Sequence, residues 1–188
     1  MANRVSFSNK ELCLEDVATH HADAKAGLYD FFNGNSQTLL DRYADAKLEE
    51  VCDRSLGELD FTSSLSVLTS VEAAIRLDYL RRVYGRWRDP LSKAMKAVHQ
   101  KRENHARLED DLIRGWRDLT DISKVLLGEL TSAFKYRHWL AHGRYWTPKF
   151  GRKYDYETVY EIAQEFIDAM NEYNNRSIRE KPKIPNQS

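Results

Sequence analysis

The sequence predicts an all-α fold, a helical bundle of about five or six helices, on three observations. Apolar residues recur at intervals of three and four along most of the chain. No run alternates in the two-residue rhythm of a half-buried strand, and the 188 residues hold only 8 Gly and 4 Pro. At this length one domain with its own core is expected.

The elements follow in order. Ser8-Asn9-Lys10-Glu11 has the form of a capping box, and Leu12, Val17, Leu28 and Phe31 then make an apolar stripe on a helix ending near Asn33-Gly34. A second helix follows Ser36, with Leu39, Leu40, Tyr43, Ala44 and Val51 at helical spacing until Ser55 to Asp60 breaks the pattern. The most apolar helix runs from about Thr62 to Tyr84. Its Leu65, Leu68, Val71, Ile75, Tyr79 and Val83 spread over much of its surface, as in a central bundle helix.

Asp89-Pro90 supplies an N-cap and first turn for a basic helix through Leu91, Met95 and Val98 to about Leu108. Trp116 and the turn Asp118-Leu119-Thr120-Asp121 precede a long helix with the stripe Ile122, Val125, Leu126, Leu130, Ala133, Phe134 and Leu140, which Gly143 caps. Arg144 to Lys153 form a basic, aromatic loop. Asp155 restarts a helix whose stripe is Val159, Ile162, Ala163, Phe166, Met170 and Tyr173. The expected organisation is an N-terminal helical segment over 1–58 packing on the bundle, a core bundle over 59–176 and a flexible tail over 177–188.

The formal net charge is zero, but its distribution is uneven. Between Arg76 and Arg107 stand ten basic residues against the three acids Asp78, Asp89 and Glu103, and residues 135 to 153 carry six bases with no acid. Such a field either draws a polyanion to one face or is a set of solvated helix faces. No apolar run approaches the ~20 residues that cross a bilayer. Met1 to Lys10 lack the apolar stretch of a signal peptide, so a cytoplasmic location without membrane partners is expected. Cys13 and Cys52 sit in separate segments without a partner motif, which suits buried reduced thiols.

The chemistry concentrates in Phe134-Lys135-Tyr136-Arg137-His138-Trp139-Leu140-Ala141-His142-Gly143-Arg144-Tyr145-Trp146. Arginine grips an oxyanion at two points, and histidine exchanges its proton near neutral pH. Arg137 and His142, with four residues between them at the end of a long helix, resemble the R-x4-6-H motif of the HEPN family. Glu72-Ala73-Ala74-Ile75-Arg76 resembles the E-x3-K/R feature that many of its members carry on a core helix. The resemblance covers roughly residues 60 to 175.

What this resemblance implies is a metal-independent endoribonuclease, without cofactor, whose two protomers bring their motifs together in a twofold homodimer. His142 would take the proton of a ribose 2′-hydroxyl and Arg137 would hold the phosphate, with Glu72, Arg76 and His138 supporting. Cleavage would leave 2′,3′-cyclic phosphate and 5′-hydroxyl ends, and DNA would not be cut. Arg144, Tyr145, Trp146, Lys149, Arg152 and Lys153 are the candidate RNA-binding residues, with Tyr145 and Trp146 the better placed for stacking on bases and Trp139 more suited to packing.

Some features leave alternatives open. Five positions at about 100° put Arg137 and His142 about 140° apart on an ideal helix, so a long Arg side chain, a loosened last turn or a second protomer must join them. His138 and His142 share a face, a spacing that also suits two metal ligands, although no acid or thiol stands near to complete the set. Arg137 paired to a core carboxylate such as Glu72 is the structural alternative. HEPN toxins silenced by tyrosine modification resemble R-x4-H-x-Y; here Arg144 takes that position and Tyr145 follows it, which puts this regulation in doubt.

Two functional classes stand beside the nuclease with a toxin or antiviral-defence role. One is a non-catalytic HEPN module binding nucleotide, RNA or a partner protein in a toxin–antitoxin or defence complex. The other is a helical dimerisation protein in which Arg137 and His142 are structural.

Overall fold

The computed structural model describes residues 5, 6, 8, 10–34 and 36–179. Among them the protein is all-α, without a strand: α1 (Leu14–Asn33), α2 (Gln37–Arg42), α3 (Leu48–Tyr84), α4 (Pro90–Arg102), α5 (Arg114–Leu119), α6 (Lys124–Ala141) and α7 (Tyr156–Arg179). A 3-10 turn (Glu103–His105) and a π-helical turn (Leu108–Ile113) lie between α4 and α5. No helix among the described residues is long and apolar enough to cross a membrane.

Helix ends follow local chemistry. Ser36 accepts the Leu39 N–H at 3.2 Å and starts α2. Asp89 accepts the Ser92 N–H at 3.1 Å ahead of Pro90 and starts α4. The capping box expected at Ser8 does not start α1; Asn9 lies outside the described residues. Cys13 is the N-cap instead, its Sγ accepting the Asp16 N–H at 3.4 Å and donating to the Asp16 carboxylate at 2.9 Å. Cys13 is therefore exposed and Cys52 half-buried, contrary to the expectation of two buried thiols. Leu12 precedes the helix and is exposed.

The expected break from Ser55 to Asp60 does not occur, and α3 is continuous over 37 residues. In and beside that stretch the hydroxyls bond back to the helix, Ser55 to the Val51 carbonyl and Thr62 to those of Glu58 and Leu59. Leu48 and Val51 belong to this helix, so α2 is only six residues long. The basic helix stops at Arg102 rather than Leu108, because Glu103 turns to φ 49° and its N–H closes on the His99 carbonyl. α7 runs through Ser177 to Arg179, residues expected in the tail; 180–188 lie outside the described residues.

The chain divides into two compact units, and α3, α6 and α7 contribute residues to both. The first comprises Met1–Asn9, Val71–Ser132 and Ile162–Ser188. Val71, Ile75, Leu91, Met95, Leu112, Ile113, Trp116, Leu127, Leu130 and Phe166 are among its fully buried side chains. Each aliphatic or Phe side chain among them contributes about 1.5–3 kcal/mol by leaving water. Gly115 lets α5 lie close against α4: a Cβ there would stand 2.9 Å from the Met95 methyl and 3.3 Å from a Leu91 methyl, so both side chains would have to shift. Val125, assigned to the α6 stripe, instead faces solvent.

The same unit encloses Arg82, whose side chain is wholly buried. Its Nε donates to Asp78 at 2.6 Å, its Nη1 to Asp89 and Ser92 at 2.9 Å each, and its Nη2 to Asn174. Trp87, Trp116 and Tyr173 surround the guanidinium plane. A buried cation is tolerated only when paired and hydrogen-bonded in this way.

The second unit comprises Lys10–Ser70 and Ala133–Glu161. Phe32, Leu39 and Val51 are buried together beneath Leu28, Phe31, Tyr43 and Leu48. His21, also buried, bonds Asp60 at 3.0 Å and stacks on Tyr156 at 3.6 Å, which fixes the start of α7 against α1 and α3 within this unit.

Candidate active site

The motif lies in the second unit, on the last turns of α6. Ala133, Phe134 and Tyr136 are buried and anchor this segment, while His138 and His142 project from the opposite side into solvent. Their spacing of four puts both rings on one face, and the centroids are 4.2 Å apart. Arg137 is half-buried. The His142 N–H still bonds the His138 carbonyl at 3.1 Å, so the last turn has not loosened. Helical phase therefore keeps Arg137 and His142 on different faces of their own helix.

The helix ends in a Schellman motif. The Arg144 N–H reaches the Trp139 carbonyl at 3.1 Å and the Gly143 N–H the Leu140 carbonyl at 3.2 Å. Gly143 takes φ +77°, the left-handed conformation that glycine adopts at little cost. Arg144 follows at φ +59°, uncommon for a residue with a Cβ. Its guanidinium is already engaged: Nη1 and Nη2 donate to the two Glu58 carboxylate oxygens at 2.9 Å each, and the group lies 4.6 Å over Phe61. This two-point bond to Glu58 holds the guanidinium further above its usual range. Because both side chains are partly exposed, the pair stabilises by no more than about 1 kcal/mol.

The loop after the motif is held to α6 by aromatic rings. Tyr136 stacks between Trp139 and Tyr154, with centroids at 5.8 and 5.1 Å, and Phe150 meets all three edge-on. Trp139 Nε1 donates to the Trp146 carbonyl at 2.8 Å. Burial pushes the Tyr136 phenol up to about 12, so it remains a neutral hydroxyl. Asp155 closes the loop as the cap of α7; the Thr158 hydroxyl and N–H hold its carboxyl below the usual range.

Of the candidate RNA contacts, Tyr145 is 83% exposed and meets Trp146 edge-on at 4.7 Å. Trp146 is half-buried, with its ring 6.0 Å from His138. Lys149, Arg152 and Lys153 face solvent, Arg152 over Tyr154 and Lys153 at 3.9 Å from Asp155. Trp139 and Phe150 are packing residues, as the sequence suggested for Trp139. Glu58, Phe61 and Tyr154 shape the loop but escaped sequence reasoning. Glu58 is 86 positions from its partner, and no local signal joins them.

Glu72 and Arg76 belong to the first unit. Arg76 Nε donates to Glu72 at 2.8 Å and Nη1 to the Ala106 carbonyl at 3.2 Å, so the i, i+4 pair read from the sequence forms. No group of three or more His, Cys, Asp or Glu side chains able to hold a metal occurs among the described residues. Comparison with protein-family models, with curated proteins and with solved structures finds no match.

Proposed function

We propose that the protein is a metal-independent endoribonuclease of HEPN type, and the observation that carries this reading is the solvent-facing His138–His142 pair. In this reading His142 takes the proton of the ribose 2′-hydroxyl. The 2′-oxygen then attacks phosphorus and the bond to the 5′-oxygen breaks. His138, one turn away, supplies the proton that the departing 5′-oxygen needs. The products are a 2′,3′-cyclic phosphate and a 5′-hydroxyl, with atoms and charge balanced. Placing acid and base at fixed positions of this kind contributes about 10²–10⁴ each.

Arg137 fits the role of phosphate clamp, its fork stabilising charge on the non-bridging oxygens. Because it and His142 lie on different faces of one helix, the reading includes a twofold homodimer in which Arg137 of one copy faces the imidazoles of the other. Tyr145 and Trp146 would stack on unpaired bases, and Lys149, Arg152 and Lys153 would follow the backbone. A cytoplasmic toxin or antiviral-defence nuclease held by a partner protein is the setting that suits such an activity.

The test is a pair of oligonucleotides of one sequence, ribose and 2′-O-methyl ribose. Cleavage of the first alone supports the reading, and cleavage of both contradicts attack by the 2′-oxygen. The half-burial of Arg137 favours a second reading, in which that residue is structural and the module binds RNA, nucleotide or a partner without cutting. Binding of the ribose oligonucleotide without cleavage by a dimeric protein would support it.

A further inference from the structure

The ten basic residues between Arg76 and Arg107 divide into two groups in the first unit. Five are paired or hydrogen-bonded within the unit, Arg102 and Arg107 of them at the surface. Arg76 holds Glu72 and the Ala106 carbonyl, and Arg82 is buried among Asp78, Asp89, Ser92 and Asn174. Lys96 Nζ donates to the Gly85 and Trp87 carbonyls at 3.0 Å each. Arg102 meets Asp111 at 3.2 Å and Arg107 meets Asp110 at 3.4 Å. The other five, Arg81, Arg86, Arg88, Lys93 and Lys101, face solvent and have no ion-pair partner among the described residues.

The same packing withdraws the acids. Asp78 and Asp89, two of the three acids in this stretch, are bound by Arg82, which leaves Glu103 as the exposed one. Internal pairing thus leaves, between residues 76 and 107, five exposed cations without an ion-pair partner among the described residues against one exposed acid, with Glu109 and Asp110 exposed on the turn that follows. The backbone that carries them is also held in place. The loop between α3 and α4 is tied to α4 at Gly85 and Trp87 through Lys96, so Arg86 stands between two anchored residues and Arg88 directly after them. Lys93 and Lys101 extend the surface about 12 Å along α4.

We propose that this α3–α4 strap is a docking surface for the phosphate backbone of a nucleic acid, separate from the chemistry at the end of α6. Charge complementarity identifies the occupant. Three of the five cations are arginines, whose fork matches a phosphodiester, and five separate exposed cations suit several backbone phosphates rather than one anion. No large apolar side chain is exposed between residues 76 and 107. Apolar anchors are the usual mark of a protein partner or an inserted bilayer contact, and a phosphate backbone needs none. The strap reads charge, so it accepts RNA and DNA alike. It rests on its own geometry and not on the ribonuclease reading.

The test is the salt dependence of binding to an end-labelled 2′-O-methyl oligonucleotide, which lacks the attacking hydroxyl and reports binding alone. The variant Arg81→Gln, Arg86→Gln, Arg88→Gln, Lys93→Gln, Lys101→Gln changes only exposed side chains. It should weaken binding by about tenfold or more at low salt and flatten the slope of log affinity against log salt by about 3.5, or 0.7 for each cation. A second variant, Arg81→Lys, Arg86→Lys, Arg88→Lys, should retain most of the slope, and a DNA oligonucleotide of the same sequence should bind comparably. Unchanged affinity and slope in the Gln variant would overturn the proposal. So would binding to vesicles rich in anionic lipid with no binding to either oligonucleotide. Cleavage of ribose RNA is scored separately, so a wild type that binds through the strap but never cuts would retain this surface and remove the nuclease.

Discussion

The imidazoles of His138 and His142 stand 4.2 Å apart on the exposed face of α6, with Trp146 6.0 Å from the first of them. Two imidazoles in contact at a helix end suit proton exchange with one substrate. His142→Ala is expected to lower kcat/KM for RNA by about 10²–10⁴. On the proposed mechanism His138→Ala should also lower it and should remove the alkaline limb of the pH–rate profile, because that mechanism assigns His138 as the proton donor. Steady-state kinetics across pH, with melting temperature as control, checks both. An alkaline limb that survives in His138→Ala would assign the acid elsewhere.

Gly143 closes the helix at φ +77° with no heavy atom within 4 Å of where a Cβ would sit, so its replacement has a conformational cost and no steric one. Gly143→Ala should destabilise by about 1–2 kcal/mol. Gly143→Asn should cost less, since Asn tolerates the left-handed region. The denaturant midpoints of the two variants measure the difference.

Asp155 caps α7 as a carboxylate, and its hydrogen bonds from Thr158 hold its pKa below the ordinary value of 3.8. A depressed folded pKa means that the unfolded chain binds the proton more readily. The contribution is therefore present above 3.8 and is lost as the pH falls below it. Asp155→Asn retains a capping side chain but cannot titrate. The stability difference between wild type and this variant should shrink as the pH is lowered through that window. A difference independent of pH would remove the charge from the account.

Arg82, wholly buried, donates to Asp78, Asp89, Ser92 and Asn174. Arg82→Ala leaves Asp78 buried without its cation, and the expected loss is about 3–5 kcal/mol. Urea unfolding reads this directly. A loss below about 1 kcal/mol would mean that the network is replaceable by water.

Periodicity made much of the helical layout legible. Val159, Ile162, Ala163, Phe166 and Met170 line the buried face of α7 as their spacing required, and Ser36, Asp89-Pro90 and Gly143 each mark a real helix boundary. The continuity of α3 was not legible, because Gly57 and its hydroxyl neighbours have the composition of a turn and only back-bonding and packing keep them helical. The six-residue α5 was hidden for a related reason: it continues a π-helical turn that has no sequence signature of its own.

The same limit applied to the site. His138 and His142 were legible as a pair from their spacing alone. The engagement of Arg144 by Glu58 was not, since a contact spanning 86 positions is set by tertiary packing. The uneven charge of residues 76 to 107 was visible, but only the structure separates the cations that are paired or hydrogen-bonded from those that face solvent without an ion-pair partner among the described residues.

The central claim is tested most directly by incubating the purified protein with a mixed RNA pool in EDTA, wild type beside His142→Ala, and analysing the fragment ends. The account predicts cleavage by the wild type alone, with 2′,3′-cyclic phosphate on the upstream fragments and 5′-hydroxyl on the downstream ones. Cleavage that survives in folded His142→Ala, or that leaves a 5′-phosphate, would contradict it.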